Sequence, residues 1–208
     1  FVVPDSNRML VDIFIPGHLL NGAKQGQKVI ASIEDWPAGT KNPIGKIAKV
    51  LGWPGVNNAE MHAILSEYGF DVDFPERVER EAEKIGLDIP AAEIKKRRDF
   101  RPVTTFTIDP VDAKDFDDAL SVQKLENGHY EIGVHIADVG HYVKPDSELD
   151  KEAFKRATSV YLVDRCVPML PERLSNGICS LKPHEDRLSF SVIFTLDKDG
   201  SLSFGKCL

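Results

Sequence analysis

The chain has 208 residues, of which 42% are hydrophobic and 28% charged, and a formal net charge of −7. This composition suits one or two domains with real cores and excludes disordered, collagen-like and disulfide-scaffold classes. No apolar run approaches the roughly 20 residues of a transmembrane helix, and the opening FVVPDSNRML has no signal-peptide pattern.

Residues 1–52 read as β structure. Candidate strands are FVV at the start, VDIFI at 11–15, QKVIASIEDW at 27–36 and IGKIAKVL at 44–51. Each is rich in Val and Ile, with Gly, Asn or Pro in the gaps, which suggests a small barrel. Because the chain begins with Phe on a strand, it is expected to be a piece of something longer.

Residues 53–98 read as an acidic helical connector. Asn57 or Asn58 can cap a first helix that Gly69 ends. Pro75 opens PERVEREAEKI, with Val78, Ala82 and Ile85 on one stripe and Glu76–Arg80 as an i,i+4 pair. A short AAEIKKR helix follows Pro90. Residues 57–93 hold ten acids against three bases, which accounts for the whole charge imbalance. The net charge therefore leaves a polyanionic partner open, and the acidic stretch reads as solvated helix surface.

From residue 99 the pattern becomes mixed α/β. VTTFTI (103–108) is a strand. DALSVQKL and YEIGVHIA flank Asn127-Gly128, a hairpin signal. Alternation puts Tyr130, Ile132, Val134 and Ile136 on one face and turns His135 to the other, read as the exposed one. A helix is expected from Pro145-Asp146 to about Leu162, with Ser147 and Asp150 resembling a capping box and Tyr161 on its apolar stripe. Cys166, Cys179 and Cys207 lie in no CxxC spacing. They suit a reducing, cytoplasmic setting and argue against structural zinc.

The segment TIDPVDAKDFDDAL (107–120) carries Asp109, Asp112, Asp115, Asp117 and Asp118. Crowded carboxylates raise each other's pKa, so the cluster must be solvated or neutralised. Pro110 favours a loop that folds back, and Asp115 and Asp117 share a side if extended. Four carboxylates could then converge. All-oxygen ligation suits Mg²⁺ or Mn²⁺. The string from Asp112 lacks the ligand and glycine positions of an EF-hand. A polar loop with N-cap aspartates is the alternative.

DPVDAKDFDDA resembles the signature of the RNase II/RNase R exoribonuclease family, in its RNB catalytic domain. The likeness continues through GVHIADVGHYV (133–143), ATSVYLVDRCVPMLPERLSNGICSL (157–181), where the wording is closer to the RNase R side of the family, and DRLSF (186–190). FVVPDSNRMLVDIFIP resembles the cold-shock-type OB domain that precedes the catalytic domain in that family.

The resemblance implies an α+β chain: a partial cold-shock/OB-type β-barrel (1–52), the connector (53–98), and the N-terminal part of a mixed α/β RNB domain (99–208). It implies a 3′→5′ exoribonuclease, processive on single-stranded RNA, that releases nucleoside 5′-monophosphates with Mg²⁺ and no nucleotide cofactor or membrane. Asp109, Asp115, Asp117 and Asp118 match the family's catalytic, metal-binding aspartates. Tyr161 matches a base-stacking tyrosine, although its pattern alone reads as core.

Phe1, Phe14 and His18 are candidates for an RNA-binding barrel face, with barrel core as the alternative. Arg98, in the basic run Lys95, Lys96, Arg97, Arg98 and Arg101, and Arg187 are candidate RNA contacts; a solvated helix end explains the run as well. The 208 residues alone are expected to be inactive. The rival reading is a non-catalytic OB-fold RNA-binding module with a structural cation site.

Overall fold

The structure, a computed structural model, describes residues 1–5 and 9–207. Residues 6–8 of the opening motif and residue 208 lie outside the described residues, as does the side chain of Cys207. The chain divides into two compact units, Phe1–Asp73 and Phe74–Leu208.

In the first unit, β1 (Lys28–Asp35) and β2 (Ile44–Gly52) form an antiparallel pair. Three register shifts interrupt this ladder, and such irregularities bend and twist a strand. Among the described residues, the segments read as strands at 1–3 and 11–15 are reduced to isolated bridges, Val2 with Ile13 and Phe14 with Ile44. Ile13, Ile15 and Ile47 are the buried core, with Val29, Ala31 and Val50 packed around them. Helix α1 (Asn57–Glu67) packs on this hairpin. Its N-cap is Val56 rather than either asparagine. Glu60 ties the helix start to its surroundings: one oxygen accepts from Gly55 N–H, just ahead of the helix, at 2.8 Å and the other pairs with Lys28 at 2.7 Å. A carboxylate in a first helical turn also meets the positive end of the helix dipole.

In the second unit, α2 (Glu76–Lys84) packs against α5 (Glu148–Arg156). Val78, Ala82 and Leu149 bury the facing stripes and join Ala137, Leu170, Leu174 and Cys179 in one core. Helix α3 (Ala91–Ile94) and helix α4 (Val139–Tyr142) are single turns. A five-stranded antiparallel sheet has the order β3 (Thr104–Phe106), β4 (Asp118–Lys124), β5 (Tyr130–Ala137), β8 (Ser189–Leu196) and β9 (Leu202–Cys207). The β4–β5 hairpin turns where Asn127-Gly128 lies, with Gly128 at φ 83°. A separate ribbon pairs β6 (Val160–Tyr161) with β7 (Cys166–Val167).

Two expectations are corrected here. Helix α5 stops at Arg156 because Ala157 adopts a left-handed conformation, φ 63°, which no helix continues through. Ser147 does cap it, accepting from Asp150 N–H at 3.1 Å. Tyr161 therefore stands on a strand and is exposed, not on a helical core stripe. Second, His135 is buried, only 3% exposed. Its ring nitrogens meet Ser191 Oγ at 2.7 Å and Ser121 Oγ at 2.8 Å on the flanking strands. Gly133 makes room for this network: a Cβ there would come within 2.4 Å of Ser121 Oγ and 2.5 Å of His135 Nε2.

Candidate active site

Residues 107–117 join β3 to β4 with neither helix nor strand. Asp109 stands just before Pro110, whose carbonyl accepts from Ala113 N–H at 3.0 Å and closes a turn. Asp117 is the last loop residue, and its carbonyl accepts from Ala137 N–H at 3.1 Å. Asp118 opens β4 opposite Ile136. The chain thus turns at Pro110 and comes back along β3 as β4.

Asp109, Asp117 and Asp118 are exposed and Asp115 is half-buried. The Asp117 carboxyl is raised from its ordinary value, first by desolvation and then by the charges of Asp115, Asp118 and Asp109. The charges of Asp115, Asp118 and Asp109 thus all act on Asp117. The donor set is carboxylate oxygen throughout, which fits a hard divalent cation in kind. Their present spacing is open: among the described residues, no three His, Cys, Asp or Glu side chains are gathered tightly enough to hold a metal ion.

Asp115 has a second partner that sequence spacing does not reveal. The Tyr161 hydroxyl donates to Asp115 Oδ2 at 2.6 Å, across 46 positions of chain. That bond, followed by desolvation, raises the Tyr161 phenol well above its ordinary pKa, so it remains a neutral donor. The ring itself is 65% exposed. Cys166 lies opposite Tyr161 in the β6–β7 ribbon, and its thiol is raised by desolvation and then by the charge of Asp115.

The other candidate contacts fall elsewhere. In the first unit Phe1 and Phe14 are both exposed, with ring centroids 5.3 Å apart, and His18 is exposed on the turn Gly17–Leu19. In the second unit Arg98 pairs with both carboxylate oxygens of Glu131, and its guanidinium lies 4.5 Å over the Phe100 ring. Arg97 pairs with Glu93 at 3.0 Å and Asp138 at 2.7 Å, and Arg101 with Asp99 and Asp186. Much of the basic run is thus neutralised within the fold. Arg187 donates from Nε to the Ser180 carbonyl at 2.9 Å and pairs with Glu185. Ser180 is the residue the sequence reading missed. Its hydroxyl bonds to the loop on both sides of Asp115. A serine in a motif carries no signal for that role, because the hydroxyl's partners lie more than 60 positions away.

The fold and the loop define an α+β protein whose sheet carries an acidic site beside an exposed aromatic ring. The RNB domain family matches residues 97–206, and the chain belongs to that family. A cold shock domain matches residues 1–75. Ribonuclease R of Thermotoga maritima is 49% identical over 202 residues, covering 96% of this chain and 28% of that protein. Among solved structures, Mycoplasma genitalium RNase R in complex with double-stranded RNA superposes with a TM-score of 0.83 at 29% identity, over 95% of this chain and 35% of that one. The same enzyme in complex with ribose-methylated single-stranded RNA gives 0.82 at 29% identity, over 94% and 30%. The chain thus spans about a quarter of the length of the curated relatives it matches. Among the described residues no helix is long and apolar enough to cross a membrane.

Proposed function

We propose that this chain supplies the cold-shock unit and the aspartate-bearing part of a processive 3′→5′ exoribonuclease that hydrolyses single-stranded RNA to nucleoside 5′-monophosphates. The observation that carries the reading is the aspartate loop itself: Asp109, Asp115 and Asp117 lie between β3 and β4, Asp118 opens β4, and the exposed Tyr161 is bonded to Asp115 at 2.6 Å. A phosphodiester is itself anionic, so four carboxylates repel it unless a cation intervenes. Asp109, Asp115, Asp117 and Asp118 would hold Mg²⁺ or Mn²⁺, and a divalent cation there supplies positive charge against the phosphate and acidifies water for attack.

The chain's own groups then have distinct tasks. The carboxylates set where the positive charge sits. Tyr161 offers an exposed π face, which suits stacking on an unpaired base and tolerates any sequence. Phe1, Phe14 and His18 offer a comparable face on the cold-shock unit. Arg98 and Arg187 would reach RNA only by leaving carboxylate partners, so we assign them a smaller share. A cytoplasmic location is part of this reading; Cys166 and Cys179 are free thiols. The 208 residues alone bind RNA and turn it over little or not at all.

A second reading, RNA binding without cleavage, draws on the open spacing of the carboxylates. The test exchanges these residues for the matching 202 in T. maritima ribonuclease R. With RNA labelled at its 5′ end and Mg²⁺ present, the exchange protein should give a ladder shrinking from the 3′ side, with mononucleotides from the first turnovers. Asp117→Asn should abolish the ladder and leave RNA binding intact. Turnover that survives Asp117→Asn favours the binding reading, and mid-length fragments point to an endonuclease.

A further inference from the structure

The aspartate loop poses a mechanical problem. It has no ladder or helix to fix it, and its carboxylates repel one another. An unrestrained loop would relax by spreading them. Something must oppose that, and the backbone polar groups of the loop must also find partners.

One side chain does both. Ser180 is fully buried at 0% exposure. Its Oγ accepts from Phe116 N–H at 3.0 Å and donates to the Lys114 carbonyl at 3.1 Å. A hydroxyl has one donor and two acceptor lone pairs, so both bonds form at once. They grip the chain immediately before and after Asp115. Leu181 N–H adds a bond to the Phe116 carbonyl at 2.8 Å.

Ser180 is itself well anchored. It follows the π-helical turn Leu174–Ile178, whose Leu174 and Ile178 are buried. Its N–H donates to Gly177 O at 3.2 Å, and its carbonyl accepts from Lys182 N–H and from Arg187 Nε. The clamp thus runs from a packed turn to the loop.

We propose that Ser180 is a positioning residue that fixes the 114–117 backbone in the arrangement from which Asp115 and Asp117 can close on a shared divalent cation. The proposal rests on reading those aspartates as cation ligands. Ser180 touches no reacting atom and acts only through the loop backbone.

The test uses the 208-residue chain and Mn²⁺, with binding followed by electron paramagnetic resonance and amide hydrogen exchange followed in parallel. Ser180→Ala should weaken Mn²⁺ binding about tenfold or more, the range seen when groups that orient ligands are removed. Exchange at Phe116 and Asp117 should speed up while β5 and β8 amides keep their rates. On an Asp115→Asn background the same change should cost clearly less, because the ligand it steadies is gone. Ser180→Cys keeps the shape of the side chain in a somewhat larger form, with only a weak donor and acceptor. It should weaken Mn²⁺ binding in the same direction, and it serves if the alanine variant does not fold.

Mn²⁺ affinity within twofold of wild type in Ser180→Cys or Ser180→Ala, beside a weakened Asp117→Asn, overturns the Ser180 assignment alone. Faster exchange throughout the sheet also overturns it, since Ser180 would then support the fold at large. Wild-type binding no tighter than that of Asp117→Asn overturns the ligand reading beneath it.

Discussion

Replacing His135 by alanine removes a ring bonded through both nitrogens inside the sheet. One nitrogen donates and the other accepts, and the two serine hydroxyls supply the complement. Without the ring, Ser121 loses its partner at 2.8 Å while 2% exposed, whereas Ser191 keeps Ser189 Oγ at 3.2 Å. A buried hydroxyl left unpaired costs about 1–3 kcal/mol. The vacated volume also leaves Phe100 without the ring it meets at 4.7 Å. Cavity costs for buried aromatic residues run to about 3–5 kcal/mol, and imidazole is smaller. The expected loss is about 2–4 kcal/mol, or on the order of 10 °C in the melting midpoint of a unit this size. Urea melts of the second unit measure it, with amide exchange at residues 119–121, 133–135 and 191 locating it. The triple change His135→Leu, Ser121→Ala and Ser191→Ala should recover most of the loss, because the buried polar partners go together and only the half-buried Ser189 hydroxyl, which can turn to water, loses a contact. A single variant within about 0.5 kcal/mol of wild type, or a triple variant as unstable as the single, would refute this account of the sheet.

Burial, and then the charge of Arg98, holds the His135 imidazole below its ordinary pKa. Between that lowered value and about 6.5 the unfolded chain carries the proton and the folded chain does not. Stability is therefore full above pH 6.5 and falls as pH drops through the window, by at most about 1.4 kcal/mol per pH unit. Urea midpoints at pH 5 to 7.5 should show this slope in wild type and lose it in the triple variant. Arg156 pairs with Glu152 at 2.9 Å, with both side chains under 10% exposed, and lies 3.7 Å over the Phe74 ring. Arg156→Ala strips a buried carboxylate of this partner and should cost about 3–5 kcal/mol in a denaturant melt. Ala157 carries a left-handed backbone that glycine adopts freely, so Ala157→Gly should raise stability by about 1 kcal/mol; an unchanged or lowered midpoint contradicts the strain.

How far the fold was legible depends on what period alone can carry. Strict alternation placed β4 and β5 and the turn between them, because the Asn127-Gly128 step and the two-residue period agree there. Alternation separates two faces but does not say which one is covered. The sequence reading gave solvent the face with His135. The structure buries that face, Ala119, Ser121, His135, Ala137 and Ser191, and leaves Ile136 52% and Phe190 55% exposed on the other. Small residues with a few hydroxyls can pack as tightly as branched ones when each polar atom has a partner, and composition does not report partners. The end of α5 failed for a similar reason. Glycine marks a left-handed cap, and Ala157 takes that conformation without the mark.

The aspartate loop carries the same lesson into the site. Its position between two strands, the reversal at Pro110 and the mutual repulsion were all readable from fourteen consecutive residues. What limits the spreading of those residues was not. Tyr161 reaches Asp115 from 46 positions away, and Ser180 reaches Lys114 and Phe116 from 66 and 64. Carboxylates that repel cannot define their own geometry, so a rigid frame has to come from elsewhere in the chain. Here it comes from a packed turn and a two-stranded ribbon. It follows that a segment with the same aspartate spacing, lacking a buried hydroxyl at the position of Ser180, would keep the charge pattern and lose the arrangement. The motif names the donors, and the contacts from distant positions decide whether they can act together.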